Sequence, residues 1–107
     1  MKKRLLLVFS LLMFGLSSTA LAKLPCEDYR FVFFPGGSEG GPFSMIVYNG
    51  AQAAAEVLGC KIEYVWSGWN TLKMIQQIKE AIARRPDGIQ VYGFLGEEAL
   101  SPLVKMA

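Results

Sequence analysis

What most constrains this chain is a short strand-like run followed by a stretch of helical period, about 3.6 residues, a succession made three times. Tyr29–Phe34 is a short apolar and aromatic run, read as a buried strand. Phe43, Ile46, Val47, Gly50, Ala51, Ala54, Val57 and Leu58 then recur at helical spacing and predict one apolar helix face, ended by Gly59. Lys61–Trp66 alternates in part, which suits an edge strand. Asn70 is a good N-cap for a second helix carrying Leu72, Ile75, Ile78 and Ile82, and Pro86 stops it after Arg84-Arg85. Asp87-Gly88 turns the chain into a third strand, Ile89–Tyr92, and Ala99–Ala107 begins a third helix.

Strand, helix, strand, helix, strand, helix with short loops predicts an α/β fold, a doubly wound parallel sheet of βαβαβα order. Right-handed crossovers place the three strand-to-helix loops on one edge of that sheet. The far edge of the third strand is left unpaired, and the sequence reads as the first part of a larger domain.

The fold does not start at Met1. Lys2-Lys3-Arg4, the apolar run Leu5–Leu16 and an ending at Ala20-Leu21-Ala22 predict a secretory signal peptide over residues 1–22, with the mature domain at 23–107. The run is short for a membrane span, an uncleaved anchor being the alternative. Losing the leader's three cations takes the formal charge from +2 to −1. Nothing then suggests a nucleic-acid surface. The expected location is the periplasm, with no stable membrane insertion after cleavage.

The chain has no histidine, which excludes histidine-based triads and histidine metal ligands. Cys26 and Cys60 precede the first and second strands. In an oxidising compartment, with those strands adjacent, they are expected to form a disulfide; two unrelated small buried residues are the alternative. No metal site and no cofactor are expected, and no nucleophile has a base beside it, so the chain does not read as an enzyme.

The glycine-rich stretch Phe33–Phe43, FFPGGSEGGPF, lies on the ligand edge of the sheet. Its spacing does not match G-x-G-x-x-G, it lacks the lysine of a phosphate-cradling loop, and Glu39 would repel an anion. Its glycines suit close approach of the backbone to a guest. The other two loops add Trp66, Trp69, Asn70, Tyr92 and Phe94, and Phe43 closes the first. Aromatic faces with a few polar groups suit a neutral, polyhydroxylated ligand. Phe43 and Trp66 suit equally a hydrophobic staple or the core.

Three stretches carry a family resemblance: GPFSMIVYNGAQAAAEVLG (Gly41–Gly59), NTLKMIQQIKEAIARRPDGIQV (Asn70–Val91) and EEALSPLVKMA (Glu97–Ala107). Together they resemble the periplasmic sugar-binding proteins of ABC transporters, the type I periplasmic-binding-protein fold of ribose- and galactose-binding kind, over nearly all of residues 29–107. The resemblance implies an incomplete N-terminal lobe that binds a sugar-like solute, with a membrane permease as partner. It implies a ligand-binding set of Ser38, Glu39, Gly41, Phe43, Trp66, Trp69, Asn70, Tyr92 and Phe94, Phe43 matching the family's stacking aromatic. Gly41 stands where the family often has Asn, and Tyr92–Gly96 lacks the family's Asp or Asn, so a less polar ligand is the expected departure. A sensing module of a signalling or chemotaxis receptor would share the same fold and loops, and a fragment without function is the third reading.

Overall fold

The computed structural model describes residues 21–107. The signal peptide expected at residues 1–22 lies almost wholly outside the described residues. Three strands, β1 (Arg30–Phe34), β2 (Lys61–Tyr64) and β3 (Gly88–Val91), alternate with three helices, α1 (Pro42–Leu58), α2 (Thr71–Ala83) and α3 (Glu97–Met106). The strands form one parallel sheet in the order β2-β1-β3. Phe31 pairs with Ile62 on one side and with Gly88 on the other, so the most apolar strand is central and the two partly polar strands form the edges.

The alternation of β1 explains the layers. Val32 and Phe34 point to one face, where they pack with Met74, Ile78 and Ala81 of α2 and Leu103 of α3. Phe33 points to the other, its ring 6.0 Å from that of Tyr64, which lies 4.5 Å from Tyr48 of α1. Because β2 and β3 flank β1 on opposite sides, the crossover through α1 and the crossover through α2 run in opposite directions, and a common hand puts the two helices on opposite faces.

Several helix boundaries have a local cause. Pro42 opens α1, where its missing N–H costs nothing, and Gly59 closes it in the left-handed region with its N–H on the Ala55 carbonyl. Asn70 caps α2, its Oδ1 accepting from the Lys73 N–H at 2.9 Å. Glu97 and Glu98 sit in the first turn of α3, at the positive end of its dipole.

Two helix faces differ from the sequence reading. On α1 the fully buried residue is Ser44, and the inward side continues through Tyr48, Ala51 and Ala55, whereas Ile46 and Val57 are 72% and 74% exposed. The apolar residues of α1 span an arc wider than a small sheet can cover, so periodicity alone did not say which part faces inward. On α2 Leu72 is exposed, and Met74 takes the place expected of it.

The end of the sheet away from the strand-to-helix loops is tied down covalently. Cys26 and Cys60 form a disulfide with Cα atoms 4.6 Å apart, and the Cys26 N–H donates to the Leu58 carbonyl. Asp87 brackets Arg30, its carboxylate accepting from the Arg30 N–H at 2.7 Å while its own N–H donates to the Arg30 carbonyl.

Candidate functional site

The loops Pro35–Gly41, Val65–Asn70 and Tyr92–Gly96 all follow the C-terminal ends of parallel strands, so they meet along one rim. The first two loops are joined directly. The Trp69 N–H donates to the Gly36 carbonyl and the Gly68 N–H to the Gly37 carbonyl, both at 2.9 Å. A third bond, Tyr92 N–H to the Phe34 carbonyl, brings in the loop after β3.

The second loop turns sharply. Asn70 N–H returns to the Ser67 carbonyl, and Gly68 and Trp69 between them both have positive φ, 59° and 58°. A turn with two left-handed central residues normally takes glycine or asparagine there, so a tryptophan in this conformation holds strain. The strain is held by what surrounds the ring. Gly36, at φ 96°, leaves the space that the ring fills: a Cβ there would lie 2.9 Å from Trp69 Cζ3 and 3.3 Å from the rings of Phe94 and Tyr92. A Cβ on Gly37 would lie 3.0 Å from the same indole and would collide with the Ser44 hydroxyl of α1. The close approach expected for a guest is therefore made, at Gly36 and Gly37, by the protein's own tryptophan.

Four rings converge here. Phe43 lies 5.7 Å from Trp69 and 5.1 Å from Tyr92, and Trp69 lies 6.1 Å from Tyr92 and 5.3 Å from Phe94. Interplanar angles of 50° to 77° are those of tilted and edge-on contacts. Rings this close touch one another, so the cluster is a platform with an open outer face rather than a slot. Phe43, Trp69 and Tyr92 remain 42%, 46% and 40% exposed, while Phe94 is half-buried and also packs on the core.

The other expected residues divide. Ser38 and Glu39 stand exposed at the tip of the first loop. Gly41 caps α1, donating to the Ser38 carbonyl and accepting from the Met45 N–H. Asn70 spends its carbonyl oxygen on the α2 cap and keeps its amide hydrogens. Trp66 is not part of the cluster: its ring lies 5.7 Å from Tyr48, over α1. The alternation of β2, with Ile62 and Tyr64 on the α1 side, carries Trp66 to that side too.

Two polar features were missed in the sequence. Ser67 is buried, its hydroxyl donating to Gln77 Oε1 at 2.8 Å while Gln77 Nε2 donates to the Trp66 carbonyl. This pair fixes the second loop to α2. The signal was Gln77 itself, a polar residue on the helix face of Met74, Ile78 and Ala81. Tyr64 has its hydroxyl sequestered without a partner. Burial pushes its phenol above the ordinary tyrosine range, and the adjacent Tyr48 adds to the shift.

Among the described residues no three His, Cys, Asp or Glu side chains gather as a metal site, and no helix is long and apolar enough to cross a membrane. Comparison of the chain with protein-family models, curated proteins and solved structures gives no significant match.

Proposed function

We propose that this chain is the solute-binding component of an ABC transport system, an N-terminal lobe of the type I periplasmic-binding-protein fold that takes up a sugar-like molecule at the rim and presents it to a membrane permease. The observation that carries this reading is the platform of Phe43, Trp69 and Tyr92 at the C-terminal edge of a parallel sheet. Rings left about two-fifths exposed in mutual contact offer apolar surface on which the C–H face of a pyranose or furanose can stack. Ser38, Glu39, the Asn70 amide and the Tyr92 hydroxyl supply donors and acceptors around it.

No step of bond making or breaking is assigned to the chain. Binding holds the ligand by stacking and hydrogen bonds, and release to the permease completes the cycle. The export signal expected at residues 1–22 and the Cys26–Cys60 disulfide both accord with work in the periplasm.

Isothermal titration of the chain against a panel of pentoses, hexoses and their amino derivatives tests the reading. Binding of at least one sugar, lost in Trp69→Ala, is the expected result. No heat of binding with any of them overturns it.

A further inference from the structure

We propose that Gln77 of α2 is the positioning residue of the ring platform: it fixes from beneath the turn that carries Trp69, and through that turn sets how tightly the rim binds. Its bearing on a ligand rests on the sugar-receptor reading, and its hold on Trp69 rests on geometry alone.

Gln77 stands where an apolar residue is the ordinary choice. Met74, Gln77, Ile78 and Ala81 form the stripe of helical spacing that α2 turns to the sheet, and the other three are buried in the core. A half-buried amide in that stripe costs free energy unless its groups find partners, whereas a leucine there would add apolar burial. Both ends of the amide are used on the second loop. Oε1 accepts from the Ser67 hydroxyl at 2.8 Å, and Nε2 donates to the Trp66 carbonyl at 3.3 Å. Ser67 is 1% exposed, so Gln77 takes the place of water as the partner of its hydroxyl.

These two bonds grip the residues at the entry of the turn. Its exit is gripped by Asn70, which caps α2 and returns its N–H to the Ser67 carbonyl. Between entry and exit, Gly68 and Trp69 hold φ of 59° and 58°, and for a tryptophan that conformation is strained. A strained turn keeps its shape only while its surroundings over-determine it. The bonds from Gly68 and Trp69 to the Gly37 and Gly36 carbonyls reach a loop made mostly of glycine, a soft support. The firm support is α2, and Gln77 links it to the entry of the turn. Trp69 meets Phe43, Tyr92 and Phe94 at centroid distances between 5.3 and 6.1 Å, so a shift of the turn alters all three contacts together.

The test separates position from stability. It uses the chain with Trp66→Phe, which leaves Trp69 as its single tryptophan. Gln77→Leu is made in it, and then Gln77→Leu with Ser67→Ala. The single variant strands the Ser67 hydroxyl and is expected to lower the unfolding midpoint; removing both polar partners together is expected to restore it. Trp69 is expected to stay displaced in both. Its emission shifts to the red, its near-ultraviolet dichroism fades, and acrylamide quenching rises about twofold as a ring now 46% exposed comes free. D-ribose and D-galactose, titrated as probes, are expected to bind the double variant about tenfold more weakly than the parent, the order of one lost stacking contact. Trp69 signals that match the parent in either variant overturn the positioning role. Equal sugar affinity in parent and double variant overturns its bearing on binding. Failure of the parent to bind either sugar counts against the receptor reading, and the tryptophan signals then decide the role of Gln77 by themselves.

Discussion

Trp69 is bound to Gly36 twice over: its N–H donates to the Gly36 carbonyl at 2.9 Å, and its ring occupies the space where a Cβ on Gly36 would stand. The glycine-rich loop is therefore shaped first to receive a side chain of the neighbouring loop. The open surface of that side chain, with Phe43 and Tyr92, is left facing outward at the rim.

Gly36→Ala tests this fit. A Cβ 2.9 Å from the indole, on a backbone at φ 96°, forces either the ring or the loop to shift. The expected cost is about 1–3 kcal/mol in denaturant unfolding, accompanied by a red shift of tryptophan fluorescence. An unchanged midpoint and spectrum would show that the ring does not rest on this glycine.

The disulfide closes a loop of 34 residues that contains β1 and α1. Chain-entropy arguments give such a crosslink about 3–4 kcal/mol. For a domain of this size that is a large share of total stability. Cys26→Ser with Cys60→Ser, or reduction of the native chain, is expected to lower the urea midpoint sharply, read by circular dichroism. A loss below about 1 kcal/mol would contradict the entropic account.

Tyr64 ties stability to alkaline pH. Its phenol titrates above the ordinary tyrosine value of about 10 in the folded chain, so the folded state holds the proton more tightly than the unfolded state does. The associated stability is fully present below pH about 10 and is lost as pH rises through the folded pKa. Tyr64→Phe removes a hydroxyl that has no partner, and is expected to be neutral or stabilising at pH 7 with a shallower alkaline unfolding curve. Steeper alkaline unfolding in the variant would refute the assignment.

Two leucine-like positions on α2 separate periodicity from burial. Ile78 is 3% exposed in the core cluster, and Ile78→Ala is expected to cost about 2–5 kcal/mol. Leu72 is 80% exposed, and Leu72→Ala is expected to stay within about 0.5 kcal/mol. Equal losses by equilibrium denaturation would mean that α2 is rotated about its axis from the orientation described.

Ser67→Ala removes the donor to Gln77 Oε1 and leaves that amide partly unsatisfied behind the second loop. A loss of about 1–2 kcal/mol is expected, and under the proposed receptor function sugar binding weakens with it because the Trp69 turn loses its anchor. Restoration by Ser67→Thr, which keeps the hydroxyl, distinguishes the hydrogen bond from simple packing.

Much of the architecture was legible because its causes are local. Pro42, Gly59, Asn70 and Pro86 mark helix ends through φ restriction, left-handed freedom and capping, none of which needs distant contacts. The short loops and the handedness of crossovers carried the rim's location with them. The site was legible less evenly. Phe43, Trp69, Tyr92 and Phe94 come together as a set, whereas Trp66 turns to Tyr48 because strand alternation, not loop membership, sets its side. Ser67 and Gln77 escaped notice because their pairing joins residues ten positions apart across a turn whose shape depends on two left-handed residues.

By itself the sequence determined the alternation of strands and helices, the ends of those elements, and the edge of the sheet on which the glycines and rings gather. Period, caps and chirality act within a few residues of chain, and no third partner has to be known for them to operate. Only the tertiary structure decided which arc of α1 meets the sheet, that Gly36 and Gly37 yield their space to Trp69, and that Tyr64 buries a hydroxyl without a partner. Those outcomes follow from side-chain volume and mutual exclusion between segments far apart in sequence, and a linear pattern does not hold that information.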